Sequence, residues 1–240
     1  APRGINLRGN GDNVSISILE TARLRLRPLT LEDAPIVQQL AGDSRIAQNM
    51  MDSFPHPYPV QAALDWIASH EPQAVTLEGF VWAVTLRKSG ELIGCVELSG
   101  RSAGGMGLGY WISVPYWNQG YASEAVRAVI EFGFAELEER RIHAQHYARN
   151  PASGAVMRKA GMKLVGTMRQ AALKNGQVED DVFYEILSTD PPPENRRAPS
   201  LETPRLLLRP WAMGDAPTFA RLSDDPAIAA NTGTFLHPHP

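Results

Sequence analysis

The sequence predicts a mixed α/β fold, a mixed sheet with helices on both faces. Three observations lead there. Alternating runs flank Ser89-Gly90, and others flank Asn175-Gly176, so the chain holds two hairpin signals. Between them strand-like and helix-like runs alternate, the arrangement that lets some strands pair in parallel. The helical runs carry their apolar residues on one side, as helices covering a sheet do.

The elements follow in chain order. Residues 22–29 alternate like a strand. Thr30, with Asp33 three residues on, caps a helix over residues 31–41. Residues 49–59, rich in Pro, Met and aromatics, form a loop, and residues 60–69 a helix. Residues 80–87 and 92–99 form the first hairpin, and residues 108–114 a further strand. Residues 122–138 have helical spacing, with Ala125, Val129, Phe132 and Leu137 on or near one face. Residues 142–147 are a strand. Residues 151–160 are a short helix ended by Gly161. Residues 162–169 and 178–187 are the strands of the last hairpin.

Composition narrows the function. A chain of 240 residues buries a full core in one or two domains. A net charge of −3 gives no general attraction to nucleic acid or to an anionic membrane, so neither is expected as a partner. The arginines Arg23, Arg25 and Arg27 alternate along one strand and read as a solvated face. Cys95 is the single cysteine, which excludes a disulfide framework or a cysteine zinc site within one chain. Its apolar neighbours make it a buried thiol rather than a nucleophile. His56, His237 and His239 sit among prolines without a partner at ligand spacing, so no metal is expected. No apolar run is long enough to span a bilayer, and residues 1–13 lack the apolar stretch of a signal peptide. The expected location is cytoplasmic.

The chain repeats itself. Leu19-Glu20-Thr21, Arg23-Leu24, Leu26-Arg27-Pro28 returns 182 residues later as Leu201-Glu202-Thr203, Arg205-Leu206, Leu208-Arg209-Pro210. Asp33-Ala34-Pro35 returns as Asp215-Ala216-Pro217, and Ile46-Ala47 as Ile228-Ala229. Such a separation is a domain period. The expected organisation is a flexible tail at residues 1–18, a domain at 19–188, a Pro-rich linker at 189–200, and an incomplete second copy at 201–240.

The most informative stretch is residues 108–125: a strand, a turn containing Gly120, and a helix start. Helix-start N–H groups lack internal partners and, with the helix dipole, hold phosphate. Gly120 lets backbone approach the anion closely. A glycine turn alone is weak, and this one has neither the lysine of a P-loop nor the three glycines of a dinucleotide fingerprint. A phosphate-loop nucleotide enzyme fails on that lysine and on a magnesium-binding acid. About thirty residues on come Asn150-Pro151-Ala152-Ser153 and then Met157-Arg158-Lys159-Ala160-Gly161.

With those segments in order, the chain resembles the GNAT superfamily of acetyl-CoA-dependent N-acetyltransferases, in the branch of the RimJ/RimL-type ribosomal-protein N-terminal acetyltransferases. The matching segments are Glu20-Thr21-Ala22-Arg23-Leu24, Gly109-Tyr110-Trp111-Ile112, the Trp117-to-Ala125 turn and helix, and Asn150-to-Gly161. The resemblance implies a mostly antiparallel central sheet, splayed where acetyl-CoA binds as co-substrate. It places the pyrophosphate on the backbone of Trp117, Asn118, Gln119, Gly120, Tyr121 and Ala122. The strand Tyr110 to Val114, through Ile112 and Val114, would pair with the pantetheine amides. Asn150 would bond the pantetheine arm and Ser153 would face the sulfur. A helix cap is the plainer role of Asn150 and Ser153, and the two roles are compatible. Glu124 is explained by the helix dipole alone. The implied partner is an amine, of a protein N-terminus or a small molecule, with a homodimer left open.

Direct acetyl transfer needs a neutral amine, although an α-amino group has a pKa near ~8 and lysine near ~10. A base or a water relay takes the proton. Glu97 is the candidate base, since its strand neighbours that of Tyr110 and burial would raise its pKa. The alternative is a solvated residue on the polar face of that strand. Ser153 is the candidate proton donor to the thiolate, with Tyr147 and Tyr184 behind it. Some family members carry an acid before the last hairpin turn, where this chain has Arg169-Gln170-Ala171-Ala172. That departure motivates a second reading, a CoA-binding module with little catalysis. Asp180 and Asp181 are expected in solvent along a hairpin strand. The expected acceptor walls are residues 49–58, Trp82, Trp111 and residues 171–177, although either tryptophan could be core.

Overall fold

The structure, a computed structural model, describes residues 5–6, 15–191, 201–202 and 205–208. The chain divides into two compact units, residues 1–191 and 192–240.

In the first unit β1 (Ile5–Asn6) and β2 (Ser15–Ile16) form a two-residue antiparallel pair. An eight-stranded sheet follows. Its strands are β3 (Leu19–Glu20), β4 (Leu24–Arg27), β5 (Gly79–Leu86), β6 (Leu92–Ser102), β7 (Gly105–Ile112), β8 (Arg141–Tyr147), β9 (Lys163–Lys174) and β10 (Gln177–Leu187). They stand in the order β3-β4-β5-β6-β7-β8-β10-β9. Every neighbouring pair is antiparallel except β7 and β8. These two run parallel and pair only at Met106–Ile142 and Gly107–His143. Beyond that point both continue without pairing, so the sheet opens between them.

Helices cover both faces. The helices are α1 (Ala34–Ala41), α2 (Ser44–Ala47), α3 (Val60–Ala68), α4 (His70–Val75), α5 (Tyr121–Ala135) and α6 (Pro151–Lys159). On one face α5 buries Ala125, Val126, Val129, Ile130 and Phe132 against β4 to β7. Phe132 meets Phe80 and Trp82 edge-on, with centroids 6.0 and 5.2 Å away. On the other face Val37 and Ala41 of α1 and Ala63 and Ile67 of α3 pack on Ala83, Cys95 and Trp111. Since strand side chains alternate, from Cys95 onward the odd-numbered residues of β6, and those of β7, look toward α1 and α3, and the even-numbered ones toward α5; a register shift before Gly94 reverses this for Leu92 and Ile93.

The local signals read from sequence appear with moved boundaries. Thr30 and Asp33 form a capping box, but the first turn is a 3-10 turn and the α-helix begins at Ala34. Asn175 and Gly176 both have positive φ, 50° and 76°, the backbone of a two-residue hairpin turn. The seventh strand stops at Ile112, because Val114 to Tyr116 coil into a 3-10 turn. The ninth runs on to Lys174, past an irregularity that sets Gln170 at φ 54° and gives its N–H to Asp180 Oδ1 at 2.8 Å.

In the second unit β11 (Leu201–Glu202) pairs with β12 (Leu207–Leu208), Leu201 opposite Leu208 and Glu202 opposite Leu207. That is the register of β3 and β4, where Leu19 lies opposite Leu26 and Glu20 opposite Arg25. The repeat in sequence is thus repeated in backbone pairing. The other expectations for residues 209–240, including His237 and His239, lie outside the described residues. So do those for residues 1–4 and 7–14 of the expected tail.

Candidate active site

The site is built where the sheet opens. Beyond Ile112 the chain turns through residues 114–120 into α5. Asn118 (φ 60°) and Gly120 (φ 82°) both take the left-handed conformation, which costs a residue bearing Cβ roughly 1–2 kcal/mol. No side chain caps α5 at Gly120, so its first-turn N–H groups face outward. The turn is held from behind. Arg23 donates to the Gln119 carbonyl at 2.9 Å and its guanidinium lies over the Tyr121 ring, 4.4 Å from the centroid. The carboxylate of Glu124 accepts from Thr21 Oγ1 (2.6 Å), Arg23 N (2.9 Å) and Arg23 Nε (2.7 Å). Burial alone would raise the Glu124 pKa; the Thr21 and Arg23 hydrogen bonds overcome that and hold it below the usual value. Glu124 therefore ties the first strands to the turn before α5, a role beyond the helix dipole. Arg23 and Arg25 lie on the exposed face of their strand, as expected, but the face is also paired: Arg23 meets Glu124 and Arg27 meets Asp33, both at 2.7 Å.

The edge of β7 forms one bank of the opening. Ser113 N–H bonds Ile93 of β6, so strand alternation turns the backbone of Ile112 and Tyr110 the other way. The Ile112 carbonyl accepts the Trp117 indole N–H at 2.6 Å. The tryptophan thereby fixes the end of the strand to the turn. Val114, expected to continue the strand, instead accepts Trp117 N–H within the 3-10 turn.

Across the opening, Asn150 is the N-cap of α6 and accepts from Ser153 N–H at 3.4 Å. The Ser153 hydroxyl lies 2.8 Å from the Tyr110 hydroxyl, which also donates to the Ser153 carbonyl at 3.0 Å. Burial pushes the Tyr110 pKa far above that of a free phenol, so this hydroxyl stays protonated. The sequence marks Tyr110 only as part of a strand; the structure brings its hydroxyl to Ser153 and the cavity. The other two hydroxyls are engaged elsewhere: Tyr184 accepts from Arg158 (2.8 Å) and Tyr147 donates to the Met50 carbonyl (3.3 Å).

On the α1 side, Glu97 lies opposite Gly109. A Cβ built on Gly109 would stand 2.7 Å from Glu97 Oε1, so the missing side chain is what makes room for the carboxylate. Burial raises the Glu97 pKa, against a smaller lowering by the Ser99 hydroxyl at 3.4 Å. Beside it burial, with Glu97 and Asp33 nearby, pushes the Cys95 thiol well up, as suits an inert thiol.

These parts line one cavity of about 1230 Å³. It contains the turn residues Trp117, Asn118, Gly120, Tyr121 and Ala122, together with Asn150 and Ser153, and also Glu97. Ile112 lines it as well; Val114 and Gln119 do not. Residues 49–55, Tyr58, Trp111 and Ala171 to Leu173, all expected as acceptor walls, line the cavity too. Trp82 does not belong to it. That ring is fully buried beneath α5 and donates to the Ser17 carbonyl at 2.9 Å. Residues 49–55 are fastened from the last hairpin, since Lys174 Nζ bonds the Met51 carbonyl (3.1 Å) and Asn175 N–H bonds Asp52 Oδ1 (2.7 Å). Asp181, expected in solvent, is buried at 5% exposure and borders the cavity. The pairing of its strand with β9 shifts register between Glu179 and Asp181, which sequence alternation does not reveal. No group of three His, Cys, Asp or Glu comes together among the described residues. No helix among them is long and apolar enough to cross a membrane.

An uncapped helix start, left-handed backbone at residues 118 and 120, an open strand edge and a large adjoining cavity together suit a diphosphate joined to a narrow amide-bearing arm. The profile of the acetyltransferase (GNAT) domain matches residues 23–163. The N-acetyltransferase YoaA of Bacillus subtilis (strain 168) is 28% identical over 176 residues, covering 71% of this chain and 96% of its own. A GNAT-family acetyltransferase of Bacillus anthracis superposes with a TM-score of 0.65 at 22% identity, over 72% of this chain and 99% of its own. RimL, a ribosomal L7/L12 alpha-N-protein acetyltransferase solved with coenzyme A, superposes with a TM-score of 0.66 at 20% identity, over 71% and 98%.

Proposed function

The chain belongs to the GNAT acetyltransferase family and is an acyl-CoA N-acyltransferase, and from that premise we propose that it transfers acetyl from acetyl-CoA to a primary amine by direct attack. The acceptor is a protein N-terminal α-amine or a small-molecule amine. RimL acts on a ribosomal protein N-terminus, and its likeness in fold favours the first kind. One observation carries the reading: the uncapped start of α5 and the open edge of β7 meet in the cavity that Glu97 and Ser153 also border.

In this reading the N–H groups of residues 118–122 and the α5 dipole hold the pyrophosphate. Tyr110 and Ile112 present backbone groups to the pantetheine, and Asn150 caps α6 beside it. When bound, acetyl-CoA supplies the activated acyl group. Glu97 acts as the base for the incoming ammonium, directly or through water. Its raised pKa brings it nearer the amine's own and so improves its match to the task. Ser153, backed by the Tyr110 hydroxyl, donates a proton as the thiolate leaves. Ala171 and Ala172 place only methyl groups where some family members carry an acid, so no carboxylate stands at those two positions to replace Glu97.

Residues 201–208 are proposed to repeat the first strand pair of the domain, on the strength of the repeated register.

The test is thiol release from acetyl-CoA over a panel of peptides and small amines. Turnover with at least one amine supports the reaction. Tight acetyl-CoA binding without turnover favours the binding-module reading, and no binding at all removes both.

A further inference from the structure

Residues 179–181 are three acids in a row, and the structure gives two of them a task. Glu179 pairs with Arg149 at 2.6 Å. Asp180 accepts Gln170 N–H at 2.8 Å and so holds the irregularity in β9 and β10. Asp181 has neither kind of partner: among the described residues its side chain makes no hydrogen bond and no ion pair, at 5% exposure. A carboxylate on a largely buried residue, left unpaired at a cavity wall, is a candidate functional group. It borders the cavity from the bank opposite Glu97.

Its position follows from register. Asp181 lies directly opposite Tyr147 of β8, and Tyr147 reaches Met50 on the α1 side, so Asp181 shares that face with Glu97. Three strand spacings separate β6 from β10, at least roughly 14 Å, and the two acids are offset by about 7 Å along the strands. One acceptor nitrogen cannot serve both carboxylates. Asp52, the other acid at that end of the cavity, is engaged by Asn175 N–H.

We propose that Asp181 binds a second protonated nitrogen of the acceptor, remote from the amine that is acetylated. The acceptor is then at least dibasic: a polyamine, or a peptide whose lysine or arginine follows its reacting N-terminus. An ammonium or guanidinium there would supply the partner that this buried carboxylate lacks. Burial raises the Asp181 pKa, His146 lowers it and Glu179 raises it again, so a bound cation would favour the charged form. The proposal rests on the acetyl-transfer reading of the same cavity.

The test compares matched acceptors with acetyl-CoA. One pair is diaminooctane and octylamine. The other is a tripeptide with lysine at its second position and the same peptide with norleucine. The dibasic member of at least one pair is expected to show a KM at least tenfold lower, and the pair that does so identifies the source of the nitrogen. Asp181→Asn is expected to bring that ratio near one, and Asp181→Glu to retain a preference. Because Asp181→Asn removes an unpaired buried charge, its melting temperature should equal or exceed that of the natural chain. Equal KM values within both pairs, an undiminished preference in Asp181→Asn, or a clear loss of melting temperature overturns the proposal. Calorimetric titration of diaminooctane and the lysine tripeptide into CoA-saturated protein reads the contact without turnover. Binding weakened at least tenfold in Asp181→Asn supports it; binding unaffected by the change, or absent from the natural chain, overturns it. Failure of every amine to be acetylated would count against the reaction itself, while the titration would still decide the cation site.

Discussion

Glu97 lies across the bare Cα of Gly109: a Cβ there would come within 2.7 Å of Oε1 and 3.0 Å of Cγ. The two residues are direct cross-strand partners, and the missing side chain is a condition of the carboxylate's place in the cavity. Gly109→Ala is therefore expected to displace Glu97 rather than to unfold the sheet. Its kcat should fall at least tenfold, with CoA affinity and melting temperature close to those of the natural chain. A kcat unaffected by the change would remove Glu97 from the reaction.

Glu97→Gln should lower kcat by about 10²–10⁴ if the carboxylate takes the amine's proton. Burial holds the Glu97 pKa above 4.5, so activity should decline as pH falls through that raised value, and this acid limb should vanish in the variant. Stability has the opposite sign. A folded pKa above the unfolded one makes the contribution full below 4.5 and fading as pH rises through the folded value. Chemical denaturation across that window should show the decline in the natural chain and its absence in Glu97→Gln.

Glu124→Ala removes the acceptor of three hydrogen bonds from Thr21 and Arg23. The expected loss is about 1–3 kcal/mol, read as a lower urea midpoint. CoA should also bind more weakly, since Arg23 no longer steadies Gln119. The folded Glu124 pKa lies below the unfolded value, so its contribution is present above 4.5 and lost as pH falls through the folded value. A variant with unchanged stability and CoA affinity would show the tie to be idle.

Ser153→Ala and Tyr110→Phe each break the 2.8 Å hydroxyl pair. Each is expected to reduce kcat by about tenfold to a hundredfold, or ~1.4–2.7 kcal/mol. The double variant should be little worse than the more severe single one, because the two act as a unit. Strict additivity in the double-mutant cycle would separate them.

Gly120→Ala places a Cβ at φ 82°, which costs roughly 1–2 kcal/mol and shifts the turn N–H groups. Calorimetry with CoA should show at least a tenfold weaker Kd. Unchanged affinity would place the diphosphate elsewhere.

Much of the site was legible because it depends on local backbone chemistry. Gly120, the start of α5, the Asn150 cap and the Asn175-Gly176 turn are set by residues within a few positions of each other. The mixed fold was legible for the same reason: hairpin turns and helical spacing are short-range signals. The length of β9 was not, since its irregularity at Gln170 needs Asp180, ten residues away across the hairpin.

What the sequence determined by itself was a glycine turn leading into a helix start, a capped helix across from it, and the alternation that puts Glu97 on one face of its strand. Only the tertiary structure decided which face meets the cavity. Strand order and the opening between β7 and β8 arise from packing against α5 and α1, across separations that no local propensity encodes. The same packing joined Ser153 to Tyr110, 43 residues apart, and Glu124 to Thr21, 103 apart. It also buried Asp181, whose neighbours in sequence gave every sign of an exposed strand, because burial belongs to the assembled sheet and not to the residue.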